Sequence, residues 1–161
     1  MTTRERFLSL LRQGERPAVS EPELPALRPA RGSRLVEEFV AAAEAAGARV
    51  HRGIDPAALF AGRGEDEVGV SVAAYGLADT GSVVLRSAPD EPRARSLLPP
   101  VHVCGLSEEN LLPGLAELFA ELGATLPSSV AIITGPSRSA DIEQQLTIGV
   151  HGPGELHIVL T

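Results

Sequence analysis

The chain has 161 residues and a formal net charge of -7, which argues against nucleic acid or an anionic membrane as a partner, because both call for a basic face. Hydrophobic residues make up 43% and charged residues 22%, the balance of a globular domain with its own core, and 3% aromatics without tryptophan leave few platforms for stacked bases. One cysteine, Cys104, excludes a disulfide framework, and neither a Cys-x-x-Cys zinc site nor an iron–sulfur cluster can be built from this chain alone.

The amino-terminal MTTRERFLSLLRQGERP is charged and amphipathic, unlike a secretory signal, and no apolar run approaches the roughly 20 residues of a membrane helix. A cytoplasmic location without membrane insertion is therefore expected. Thr2-x-x-Glu5 has the spacing of a capping box opening a helix over 2–13, with Phe7, Leu8, Leu10 and Leu11 clustered on one side. Residues 14–32 carry Pro17, Pro22, Pro25 and Pro29 and no helical period, so residues 1–32 read as a helix and a proline-rich strap, and 33–161 as an α/β domain.

That domain opens with a helix from Ser33, with Leu35, Val36, Phe39, Val40 and Ala43 at helical spacing and Gly47 placed to end it. Residues 48–52 read as a strand, 55–62 as a brief helix and the stretch to Glu67 as a polar loop. In the next apolar region Ser71 is placed to cap a helical turn, Asp79-Thr80-Gly81 forms a turn, and Ser82 to Arg86 leaves as a strand. Residues 99–105 read as a strand and 107–123 as a helix capped by Ser107 and disturbed by Pro113. The apolar run 128–134 reads as a buried strand with residues 130–134 central in the sheet, GPSRS as a turn, 140–149 as a helix and 155–161 as the closing strand. Alternating strands and helices predict an α/β fold, a mainly parallel sheet with helices on both faces. Ligands of such sheets lie beyond the carboxyl ends of strands, which directs attention to the loop after 128–134.

That loop, Thr134-Gly135-Pro136-Ser137-Arg138-Ser139, followed by Asp141 and Glu143, offers hydroxyl, guanidinium and amide donors for a small anion. An equally weighted alternative is a well-capped helix with Arg138 paired to Asp141 or Glu143. The glycine-rich turn around His151 and Gly152 offers an imidazole that either meets a substrate, where it is the candidate acid/base, or fixes its own turn. The Asp79-Thr80-Gly81 turn reads first as structural. Ser137, Arg138 and His151 are expected to converge on one cleft with that turn on its wall. A straight helix over 140–149, about 12 Å long, works against such convergence unless the chain turns back early. His102 and Cys104, two apart on a strand, face one way and read as buried packing rather than as metal ligands with His151 or His157. GPSRS lacks the second glycine of a nucleophile elbow.

TGPSRSADIE, then GVHGP after QQLTI, and the closing ELHIVLT are similar to the signature of the LUD-domain family, in its lactate utilization protein C (YkgG-like) branch. LADTGSVVL and PPVHV resemble two further blocks of that family, and the resemblance spans about residues 33–161. Between the first strand and the DTG block, where the family is longer, this chain has only the loop around Arg63 to Glu67. The resemblance implies a fold like the ribose-phosphate isomerase and CoA-transferase group. It also implies a non-redox subunit that binds no cofactor itself and works beside iron–sulfur partner subunits oxidising L-lactate to pyruvate. Thr80, Gly81, Gly135, Ser137, Arg138, Asp141, Glu143, His151 and Gly152 are the motif positions it marks as candidates; Ser139 joins them as a donor of the GPSRS turn. A stand-alone enzyme or binding protein for a small carboxylate, phosphate or CoA-linked ligand, and a pure assembly module, are the other readings.

Overall fold

In a computed structural model, the structure describes residues 2–13, 27, 33–89, 91–123, 126–140, 146–148 and 151–161. The proline-rich strap, Leu27 apart, and the candidates Asp141 and Glu143 lie outside the described residues, and Ser139 is described by its backbone alone. Helix α1 (Thr3–Gln13) opens with the reciprocal bonds of the capping box: the Thr2 amide donates to Glu5 Oε2 at 2.7 Å and the Glu5 amide to Thr2 Oγ1 at 3.3 Å. Its Phe7 and Leu8 are exposed. Helix α2 (Ser33–Ala45) buries Leu35, Phe39 and Ala43, four residues apart, and ends where Ala48 N donates to Ala43 O.

Strands β1 (Arg49–Arg52), β2 (Val68–Val72), β5 (Val101–Leu106) and β10 (Glu155–Leu160) make the first sheet, in the order β1-β10-β5-β2, and every pairing is parallel. The expected mixed α/β fold with a parallel sheet is therefore present. The second sheet has the order β6-β3-β4-β7, from β3 (Tyr75–Leu77), β4 (Ser82–Arg86), β6 (Leu111–Leu112) and β7 (Val130–Ile133). Only β3 and β6 are parallel there. Strands β8 (Arg138–Ala140) and β9 (Leu146–Ile148) pair antiparallel as a separate hairpin.

The main core lies where one face of the first sheet (Cys104, Leu106, Leu156, Ile158) meets α2 and the second sheet (Val83, Leu111). On the opposite face Val101, Val103 and Val159 are covered by Leu59 and Phe60, which follow a 3-10 turn at Pro56–Ala58. Helix α3 (Leu115–Leu122) packs Leu118 and Leu122 against Leu77 and Val84 on the outer side of the second sheet. Among the described residues no helix is long and apolar enough to cross a membrane.

Four expectations are corrected. Ser71 caps nothing; it is a buried residue of β2, because the apolar alternation around it is that of a strand. The helix expected over 107–123 is a 3-10 turn at Glu108–Asn110, then β6, and α3 starts only at Leu115, past the proline that cannot donate within it. Strand β7 is an edge strand, partly exposed and antiparallel to β4; an apolar run reports burial propensity, not rank within a sheet. The helix over 140–149 is replaced at both ends by the β8–β9 hairpin, in which Ala140 faces Leu146.

Candidate functional site

The hairpin is what brings the two motif loops together. Since β8 and β9 run out and back, the chain returns at His151 beside the point it left at Ser137. The Ser137 amide donates to the Pro153 carbonyl at 2.8 Å, and a Cβ added at Gly152 would meet Ser137 Cβ at 3.3 Å. The 151–154 turn is tied in turn to the start of β5, with Gly154 N donating to Pro100 O at 2.9 Å. Between these loops and the 3-10 turn at Arg93–Ser96 lies a cleft of about 140 Å³. Ser137, His151 and His102 give it polar groups, and Leu97, Ile133 and Leu156 line it with apolar surface. It lies at the amino ends of β5 and β10, not beyond their carboxyl ends, because the loop after β7 belongs to the second sheet.

His102 is the buried wall of this cleft, 1% exposed. Its Nε2 lies 2.7 Å from Ser71 Oγ, and Ser71 Oγ donates to Cys104 Sγ at 3.6 Å. Cys104 Sγ donates to the Gly105 carbonyl at 3.9 Å. His102 Nδ1 has no hydrogen-bond partner among the described residues. A buried nitrogen left unpaired costs on the order of 1–3 kcal/mol. Burial pushes His102 down to about 4 and the Cys104 thiol up to about 12, so at neutral pH the imidazole is uncharged and the thiol protonated. Cys104 is thereby a packing residue rather than a nucleophile. The sequence pointed to His102 only as core. The signal for its partnership was a serine and a histidine each placed inside an apolar strand.

The other candidates gather elsewhere, around the carboxyl end of α2. Gly81 has φ +65° and Gly135 φ +69°; a Cβ on the first would collide with the Ala43 backbone, and on the second with the Ala46 carbonyl. Arg138 Nη2 donates to that same carbonyl at 3.0 Å, satisfying an acceptor that the helix end leaves free. Thr80 Oγ1 and Ser82 Oγ are 2.7 Å apart, and Ser82 Oγ and Thr134 Oγ1 2.6 Å, a hydroxyl chain that joins the DTG turn to the end of β7. Gly135, beside Pro136, reaches both places, since it also lines the cleft.

A third polar cluster sits on the opposite face of the first sheet. His51 Nε2 and His157 Nδ1 are 3.0 Å apart with their rings stacked, and His157 Nε2 is 3.2 Å from Glu155 Oε2, which Arg49 Nη1 also meets at 2.9 Å. Burial lowers the His157 pKa. The hydrogen bond from His157 is the largest cause holding the Glu155 carboxyl below its usual range. The strand alternation that puts His102 and Cys104 on one face puts His157 on the other. Among the described residues no group of three or more His, Cys, Asp or Glu is placed to hold a metal ion.

The family model of the LUD domain matches residues 65–161. The chain belongs to the LUD domain family. The matched stretch contains the residues named in the cleft, while α2, which props the DTG and GPSRS turns, precedes it. This LUD domain is 41% identical to lactate utilization protein C of Halalkalibacterium halodurans over 93 residues, 54% of this chain and 40% of that protein. It is 37% identical to lactate utilization protein C of Bacillus subtilis over 99 residues, 58% and 41% of the two chains. It is 44% identical to the Escherichia coli protein YkgG over 93 residues, with shares of 54% and 40%. The chain thus spans about two fifths of the length of the curated relatives it matches. The crystal structure of a DUF162 family protein from Deinococcus radiodurans has the same fold, with a TM-score of 0.58 at 17% identity, over 82% of this chain and 99% of that one.

Proposed function

We propose that this LUD domain serves bacterial lactate utilization as a non-redox subunit, acting in the cytoplasm with iron–sulfur partner subunits that carry the electrons when L-lactate is oxidised to pyruvate. The observation that carries this reading is the similarity to relatives named lactate utilization protein C. Chemistry supports the division of labour: the one cysteine is buried and protonated, a poor ligand for a cluster, which favours placing the clusters on the partners. The test is lactate-dependent dye reduction by the chain alone and with candidate iron–sulfur subunits, with co-purification of the native protein and mass spectrometry of what accompanies it. Activity is expected only with the partners; dye reduction by the isolated chain sinks the proposal.

A second reading, a binding protein or stand-alone enzyme for a small anionic ligand, is favoured by the Ser137–His151 cleft. Saturable binding of such a ligand by a chain that retains no iron–sulfur partner on purification would favour it.

A further inference from the structure

Resting on the lactate-utilization reading, we propose that the cleft bounded by Ser137, His151 and His102 binds a short-chain 2-hydroxycarboxylate, its hydroxyl donating to His102 Nδ1 and its carboxylate held at the Ser137–His151 rim. Size is the first ground. The cleft measures about 140 Å³, and a cavity of about 150 Å³ takes a benzene-sized guest. A three-carbon hydroxy acid is a guest of that class. Polarity is the second: the lining is mostly apolar, with Leu97, Ile133 and Leu156 suited to an alkyl end, and Ser137 and His151 are the residues at the other end able to donate.

The third ground is the direction of the buried hydrogen bonds. The Cys104 thiol donates to the Gly105 carbonyl and the Ser71 hydroxyl donates to Cys104 Sγ. Ser71 oxygen is then left to accept, so His102 Nε2 carries the proton and Nδ1 is a bare acceptor. His102 stays neutral well below physiological pH, which keeps that acceptor in place. His102 lines the cleft, and a buried acceptor without a partner among the described residues selects a hydrogen-bond donor. A 2-hydroxy acid brings one; a 2-oxo acid and an unsubstituted acid do not. The cleft is accordingly a reader of the reduced substrate rather than of its oxidised product.

The experiment uses the full chain, labelled with ¹⁵N at histidine, and follows the imidazole nitrogens by NMR while L-lactate, pyruvate or propionate is added. The free protein is expected to show His102 with an unprotonated, unbonded Nδ1. L-lactate should move that resonance saturably, with Ser137→Ala weakening the binding. Pyruvate and propionate should bind at least about tenfold more weakly, because a site built to hydrogen-bond a hydroxyl discriminates against analogues lacking it. A free protein with the proton on Nδ1, a His102 signal indifferent to L-lactate, or propionate binding as tightly as L-lactate would each overturn the proposal. Reconstituted dye reduction by a chain that binds no lactate discards this site and leaves the subunit role standing. Lactate binding by a chain that never associates with iron–sulfur subunits supports the site and discards the subunit role.

Discussion

Arg138 donates to the carbonyl of Ala46 at 3.0 Å, so the most basic group of the GPSRS turn clamps the end of α2 instead of facing the cleft that its neighbour Ser137 lines. Arg138→Ala is therefore expected to remove a cation from a helix carboxyl end. The side chain is exposed, which holds the loss to about 0.5–1 kcal/mol, a fall in melting temperature of roughly 1–4 °C. Affinity for an added carboxylate should stay within about twofold. A large loss of affinity with an unchanged melting temperature would return Arg138 to the ligand.

Gly81 and Gly135 seat two turns on the same helix end, and each needs both a positive φ and the absence of a side chain. Alanine at either position meets left-handed strain of about 1–3 kcal/mol and overpacking of a further 1–3 kcal/mol. Urea unfolding should show a marked fall in midpoint for Gly81→Ala and for Gly135→Ala. An unchanged midpoint for either would mean that its turn has room to lift from α2.

Much of the frame was legible from local pattern. Leu35, Phe39 and Ala43 announce α2, and the alternation in β5 and β10 assigns His102 and Cys104 to one face. What local pattern does not carry is pairing. Residues 140–149 contain good helix formers, yet Leu146–Ile148 finds a partner strand in Arg138–Ala140, and tertiary pairing outweighs the few tenths of a kcal/mol per residue of helix propensity. That one difference decides the site. A straight helix sends His151 away from Ser137, and a hairpin returns it.

Cys104 is fully buried, and burial raises its thiol to about 12. Native protein at pH 8 should react with Ellman's reagent at least roughly a thousandfold more slowly than protein in denaturant, because labelling waits for opening. Prompt labelling of the native state would show that the layer holding Ser71 and His102 opens readily.

Acid should weaken this fold through histidines that it keeps neutral. His102 titrates at 6.5 in the ordinary state and at about 4 when buried. Between those values the unfolded chain binds a proton that the folded chain refuses. The stabilisation is thus fully present above pH 6.5 and is lost as pH falls toward 4, about 3 kcal/mol in all. His157, lowered chiefly by burial, acts with the same sign. Glu155 also loses its contribution in acid, as pH falls through its depressed folded value and the hydrogen bond from His157 is given up. Unfolding free energies from urea titrations at a series of pH values between 7.5 and 4.5 should fall steadily. His102→Gln removes one titrating group, so its profile should be shallower by up to about 1.4 kcal/mol per pH unit in that window. Parallel profiles for the variant and the unaltered chain would show that His102 is protonated as easily folded as unfolded, and that the buried Ser71–His102 pair does not hold it neutral.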